Sequence, residues 1–270
     1  MSTQSACANS LILGLLSACL SLSAISAELE PAPAGVVARE VAEGAENSLR
    51  SDRTYVAMSM TVTSPRLARP RTLEIRSWED RPEKRSFIRI DAPSKDAGTG
   101  FLKLHPNLWM YIPRVERTVR IPPSMMLQSW MGSDFSNDDL VRESSALDDY
   151  DHTLLGVDNA LEDLPGRSAY VLEYIPHEDA PVVWGKMLSW VDREQMTPLR
   201  VDYYDEGGEL VRTIRYSDLR VVGGRHVPHR WALTPLDKPG HKTVIQLESI
   251  QFDADFGAKL FTTQNLRSGR

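Results

Sequence analysis

His226-Val-Pro-His229 is the first place in this sequence to look for chemistry, because two imidazoles a few residues apart can share a zinc ion. The spacing argues against it. Positions i and i+3 of a strand point to opposite faces, and Pro228 excludes a helix running through the pair. His105, His152, His177 and His241 are dispersed. Asp134, Asp138 and Asp139 resemble a calcium cluster only in composition, since the D-x-[DN]-x-[DN]-G loop and its distal glutamate are missing. Capping and first-turn roles explain them better, because carboxylates favour the positive end of a helix. Asp148, Asp149 and Asp151 read as a solvated turn. Gly98-Thr-Gly100 is too short to cradle a phosphate, and no nucleophile elbow, P-loop, dinucleotide fingerprint or H-E-x-x-H occurs. A glycosidase-type carboxylate pair comes from distant strands and leaves no local signature. An envelope hydrolase therefore stays as one alternative, while the expectation is no enzyme, no metal and no cofactor.

The N-terminus reads as an export signal. Leu11 to Ala27 carries no charge and ends Ala24-Ile-Ser-Ala27-Glu28, small residues before a polar start. It departs from the usual pattern in having no Lys or Arg before Leu11. Leu16-Ser-Ala-Cys19 also fits a lipobox, which gives the alternative of a lipoprotein anchored through Cys19. An uncleaved anchor is the third reading, weakened by a length short of the ~20 apolar residues of a comfortable span. Cys7 and Cys19 both lie in this segment, so a chain starting near Glu28 has no disulfide or thiolate zinc site. About 240 residues suffice for one domain with its own core. The net charge of −6 with no basic block gives nucleic-acid binding no support.

The elements follow from periodicity. Residues 28–35, with Pro31 and Pro33, read as a linker, and 36–270 as a single domain. Val37, Val41, Ala45 and Leu49 recur every four residues, the mark of an amphipathic helix over 36–49. The period then changes to two. Val56, Met58, Met60 and Val62 alternate with Tyr55, Ala57, Ser59 and Thr61; Leu73/Ile75 and Ile88/Ile90 do the same. Leu102 and Leu104, residues 109–112, and Val119 with Ile121 continue the series. Further strands fall at 168–175, 186–192, 198–205, 209–217, 219–222, 227–234 and 242–252, with hairpin signals at Gly207-Gly208 and Gly223-Gly224. Short helices are expected at 124–131 and 137–142. This is the spacing of an antiparallel meander. Its alternation fits a curved sheet with an apolar concave side, and equally a β-sandwich with a dry core.

One run interrupts the pattern. Met125, Met126, Leu127, Trp130, Met131 and Phe135 crowd between Pro122-Pro123 and a Gly-Ser-Asp turn, and Ser136 then begins a helix. Such a set packs into the core or covers something greasy, and methionine adapts to varied apolar partners. Tyr111-Ile-Pro113, the stretch Arg117 to Ile121, Gln128-Ser-Trp-Met-Gly-Ser-Asp-Phe-Ser136, Gly98-Thr-Gly100 and Trp109 together resemble the outer-membrane lipoprotein-sorting-like family. That family belongs to the LolA/LolB-like superfamily of periplasmic lipid and lipoprotein carriers. The resemblance covers roughly residues 36 to 266 and is most specific over 98–140. It implies a mainly β fold with a few helices, an unclosed antiparallel β-barrel of about eleven to twelve strands with a helical lid over a hydrophobic cavity.

It also implies function. The expected protein is a periplasmic carrier or chaperone for lipids or lipoprotein acyl chains, serving lipoprotein sorting or lipid transport in outer-membrane biogenesis. An inner-membrane RND-type exporter is the expected partner. Met58, Met60, Ile75, Trp78, Leu102, Trp109 and Tyr111 are the candidate cavity residues. Met125, Met126, Trp130, Met131 and Phe135 are the candidate lid. Each buried methylene of cargo would contribute ~0.8 kcal/mol, so two chains of about fourteen to sixteen carbons would be held firmly. The same apolar residues would also simply fill a barrel. In that case the protein is a ligand-free accessory subunit of an envelope transport complex. Members of the family close the cavity with an arginine that the sequence alone does not single out.

The export reading makes a direct prediction. N-terminal mass measurement of the secreted protein should show a chain beginning at Glu28. A lipidated Cys19 or an intact Met1 would overturn it.

Overall fold

The computed structural model describes residues 29–141, 146–161, 164–180, 182 and 184–268. The export segment 1–27 with Cys7 and Cys19, and Arg142 at the end of an expected helix, lie outside the described residues. Helix α1 spans Ala38–Leu49, and its buried stripe is Val41, Ala42, Ala45 and Ser48. Six strands follow as a meander: β1 Arg53–Thr63, β2 Arg71–Asp80, β3 Arg85–Ala92, β4 Gly100–Leu104, β5 Asn107–Ile112 and β6 Arg117–Ile121. Seven more close the chain: β7 Tyr150–Asp158, β8 Ala169–Pro176, β9 Lys186–Asp192, β10 Pro198–Tyr204, β11 Leu210–Val222, β12 Arg225–Pro235 and β13 Lys242–Phe252. Helix α2 is Asn137–Val141, and a last helix α3 is Thr263–Ser268.

All thirteen strands form one antiparallel sheet in the order β6-β5-β4-β3-β2-β1-β13-β12-β11-β10-β9-β8-β7. Every neighbour is also the neighbour in sequence, except where β1 meets β13, in register from Thr54 opposite Phe252 to Thr63 opposite Lys242. The sheet is open, and its free edges are β6 and β7. The opening therefore falls in the middle of the chain, between β6 and β7. After β6, residues 122–141 pack on the inner face through Trp130, Phe135 and Val141.

This segment differs from the expected helix over 124–131. It holds two short 3-10 turns, Pro123–Met125 and Trp130–Gly132, separated by extended backbone at Ser129. The helical ladder is broken because the backbone bonds to itself across the loop. Trp130 N–H donates to the Phe135 carbonyl at 2.8 Å, and Asn137 N–H donates to that of Gln128 at 3.0 Å. The expected cap at Ser136 is present. Asp139 N–H donates to Ser136 Oγ at 3.1 Å, and Ser136 N–H donates back to Asp139 Oδ2 at 2.7 Å. These are the reciprocal bonds of a capping box, with aspartate in the glutamate position.

Strand count, β7 and α3 depart from the sequence reading. Residues 209–217 and 219–222 form one strand, β11, although Asp218 interrupts it with a φ of 56°. The acidic residues near 150 are not only a turn: Asp151 is the second residue of the edge strand β7, its side chain turned to solvent. The stretch expected as a linker is also tied down. Glu30 exchanges both backbone hydrogen bonds with Val157 at 2.8 Å. Gly156 permits this, because a Cβ there would meet the Glu30 carbonyl at 2.7 Å.

Side chains separate by strand parity. The inner face carries one large cluster over β1–β6 and β11–β13, including Met60, Leu73, Ile90, Leu233, Ile245 and Leu247, with Trp130 and Phe135 packed into it. A second inner cluster joins α1 to β7–β9. On the outer face Phe87 and Leu102 pack against Phe261 and Leu266, so the C-terminal segment is pinned to the back of the sheet. Leu266 is fully buried. Leu266→Ala should therefore cost about 2–4 kcal/mol in chemical denaturation. A midpoint shift near zero would mean that this segment does not belong to the cooperative fold.

Candidate functional site

Between the inner face, α1 and residues Phe135, Asp139, Ala146 and Leu147 lies a cavity of about 220 Å³. Ala42, Ala45 and Leu49 of α1 form one wall; Met187, Val201 and Ile214 of the sheet form the other. Aromatic rings dominate the rest: Tyr150, Tyr174, Trp184, Tyr203, Tyr216 and Trp231. A smaller chamber of about 80 Å³ continues toward β1–β3, lined by Val56, Met58, Ile245 and Leu247 with polar Thr54, Ser77 and Ser86. Leu49, Arg50, Phe135, Asp139 and Trp231 border both chambers. An engineered apolar cavity of about 150 Å³ takes a benzene-sized ligand. The cavity thus has room for a ring or a short acyl segment. Two long chains require the covering segment to move. A larger groove of about 660 Å³ lies outside, near the end of α1, but Asp52, Arg81, Glu194 and Arg225 make it a polar, solvated surface.

Two charged groups sit at the borders of the cavity. Arg212 of β11 keeps 5% of its side-chain exposure, yet it carries a full charge. Its two terminal nitrogens donate to the two oxygens of Asp139, each at 2.7 Å. Its guanidinium carbon also lies over the rings of Trp184 at 4.4 Å and Tyr203 at 4.2 Å. Burial alone would push the Asp139 carboxyl upward. The Arg212 charge and hydrogen bonds, together with the Ser136 N–H and hydroxyl, outweigh it and hold the carboxyl below the ordinary range. The second group is Arg50, just past α1. It donates to Glu46 through Nε at 3.1 Å and to Glu79 of β2 through Nη1 at 3.0 Å. Burial lowers the phenol acidity of Tyr150 and Tyr174, so both remain neutral hydroxyls.

The structure does not gather the seven sequence-selected cavity residues. Met58, Met60 and Ile75 face inward, and Met58 lines the smaller chamber. Trp78, Leu102, Trp109 and Tyr111 face outward, in the cluster that receives α3. Parity explains this: Ile75 inward sets Ser77 and Glu79 inward and Trp78 outward. Leu108 and Met110 face inward between Trp109 and Tyr111 for the same reason. The lid residues also divide. Trp130 is completely buried, with its ring 5.2 Å from Phe101, and Phe135 is buried at the boundary of the chambers. Met126 and Met131 are half-buried, whereas Met125 keeps 39% of its exposure. His229 is buried with Nδ1 3.0 Å from the Val227 carbonyl. Among the described residues no three His, Asp or Glu side chains converge as metal ligands.

Sequence reasoning missed Arg212, the aromatic wall and the pairing role of Asp139. A signal existed for the first: Arg212 has the same parity as Ile214, which alternation turns inward. Its partner lies far away in sequence, which no local pattern reveals.

An unclosed antiparallel sheet, covered on its inner face by α1 and residues 122–141, defines the fold class as a LolA-like open barrel. The model of a family described as uncharacterized protein matches residues 82–268, and the chain belongs to that family. A domain provisionally described as an outer membrane lipoprotein-sorting protein, from Vibrio parahaemolyticus, superposes with a TM-score of 0.73 at 22% identity, covering 85% of this chain and 98% of that one. A DUF1329 family protein from Desulfovibrio piger gives 0.74 at 24% identity, over 85% and 97%. A LolA superfamily protein from Nitrosomonas europaea gives 0.71 at 22% identity, over 86% and 100%. No curated protein matches in sequence.

The Arg212–Asp139 pair generates a signed prediction. Asp139→Asn leaves a buried guanidinium unpaired and should cost about 3–5 kcal/mol near neutral pH. Because the native carboxyl lies below its ordinary value near 4, this contribution is present above that value and is lost as pH falls through the lower native one. Denaturation midpoints of wild type and Asp139→Asn should therefore converge below about pH 4. The double variant Asp139→Leu/Arg212→Met should be less destabilised than Asp139→Asn. A constant difference across pH would contradict the assignment.

Proposed function

We propose that this protein is an exported, non-catalytic carrier that shelters an apolar group of a lipid or lipoprotein in the inner-face cavity. The reading rests on one observation: a cavity lies on the inner face of the sheet between α1 and the segment that ends in α2. Residues 122–141 belong to no strand of the sheet, so they can be displaced without breaking the strand ladder. The fold shared with a lipoprotein-sorting domain and a LolA superfamily protein supports the same reading.

In this mechanism the 122–141 segment is the gate, and Arg212 takes the part of the closing arginine. Opening separates Asp139 from Arg212, and the arriving chain replaces the apolar contacts of Phe135. Acyl carbons bury against Met187, Val201 and Ile214, contributing ~0.8 kcal/mol per methylene. The Arg50–Glu46–Glu79 group would remain at the junction of the chambers and set how deep the chain can go. Action in the periplasm, and delivery to or from an RND-type exporter, belong to the same proposal.

The small volume of the cavity favours a second reading, an accessory subunit of an envelope transport complex that holds no ligand. Ala45 separates the two. It lines the cavity from a helix that need not move. The wild-type protein should bind a hydrophobic fluorescent probe stoichiometrically, and Ala45→Phe should weaken binding at least about tenfold while costing about 1–3 kcal/mol of stability, which leaves the protein folded. No binding by the wild type, or equal binding by both, would favour the ligand-free reading.

A further inference from the structure

At the end of the sheet where β1 turns into β2, a second tip, between β12 and β13, lies against the first. Ser64 Oγ is 3.2 Å from His241 Nε2. Gly240 approaches Pro65 so closely that a Cβ would meet its ring at 2.9 Å. Each tip presents one large apolar side chain to solvent: Leu67 with 39% of its exposure and Leu236 with 48%. Single exposed leucines are common on soluble proteins. Here they stand at adjoining tips, surrounded mostly by positive charge. Arg66 and Arg69 flank Leu67, and Lys238 and Lys242 follow Leu236; all four are exposed. Asp237 is the one exposed acid in this group. The whole chain is net acidic at −6, so the local excess of positive charge is a property of this patch.

We infer that these two tips form a docking surface for an anionic lipid bilayer. The chemistry is that of an interfacial anchor: leucines enter the boundary between headgroups and chains, while arginine and lysine lie level with the phosphates. The next tip along, Asp205 to Glu209, carries Asp205, Glu206 and Glu209. An anionic surface repels it, so the molecule leans onto its β1–β2 side. The patch is also continuous with the cover of the cavity. Arg71, at the base of the first tip, donates to the Met131 carbonyl. At the base of the second, Thr243 Oγ1 donates to Asp134 at 2.7 Å, and His241 Nδ1 lies 3.4 Å from the same carboxylate. Docking thus brings the gate next to the bilayer, whatever the cavity holds.

The test is co-sedimentation of the purified chain with vesicles, and it reads membrane binding independently of cargo. The protein should bind vesicles of phosphatidylglycerol mixed with phosphatidylcholine, should bind pure phosphatidylcholine far less, and should detach in about 0.5 M salt, where screening is short-ranged. Each basic residue near such a surface is worth about fivefold, so Arg66→Gln/Arg69→Gln should lower partitioning about thirtyfold. Leu67→Ser/Leu236→Ser should lower it several-fold and leave the salt dependence in place. Lys84→Gln/Arg220→Gln removes the same charge from other parts of the sheet and should change binding little. Denaturation midpoints of these exposed-site variants should match the wild type. No preference for anionic vesicles, or equal losses for the tip pair and the control pair, would overturn the proposal. Loss of probe binding in the Ala45→Phe protein with vesicle binding intact would show that the two sites stand separately.

Discussion

The buried guanidinium of Arg212 has to be neutralised, and the covering segment is what neutralises it. Trp184 and Tyr203 pack on the guanidinium and keep water away, so its charge needs a carboxylate in fixed geometry. Asp139 supplies both oxygens, and the capping box with Ser136 fixes where that carboxylate points. The short helix α2 would be marginal alone. The ion pair locates it, and with it Phe135, the residue that divides the interior.

Topology makes this contact possible. Joining β1 to β13 places the free edges in the middle of the chain, and the described stretch after β6, residues 122–141, packs on the inner face through Trp130, Phe135 and Val141. The same arrangement explains the unequal lining of the interior. Near β1–β3 it is aliphatic with a few hydroxyls, and near β7–β11 it is aromatic, because Tyr and Trp there meet α1 and the charged residues at its end.

Much of the fold was legible because alternation survives in single strands. The helix over 36–49, the meander, both diglycine hairpins and the capping role of Ser136 follow from local physics, and the structure shows each. Strand β7 was hidden because its start is acidic and its edge position leaves Asp151 in water. Helix α3 was hidden because its six residues contain one buried side chain, Leu266, and no periodicity can be read from one point. The site was less legible than the fold. Trp78, Trp109 and Tyr111 were grouped with Ile75 by bulk, where counting by twos sends them to the other face. Arg212 sits at an inward parity, but an arginine in a strand reads as exposed unless its partner is known. That partner is supplied by a different part of the chain.

The seam between β1 and β13 has a consequence for how the chain acquires its shape. Every other strand pair joins neighbours in sequence and can zip as a hairpin. β1 waits for a partner roughly 180 to 200 residues downstream, and at synthesis rates of about 5–20 residues per second that is an interval of tens of seconds. Throughout it, one side of β1 offers an unpaired ladder, and Met58, Met60 and Val62 have no opposite face to rest on. The last-made long strand is therefore the one that seals the first. Truncation anywhere before β13 would leave a half-sheet with a sticky central edge, a species prone to aggregate rather than a smaller functional unit.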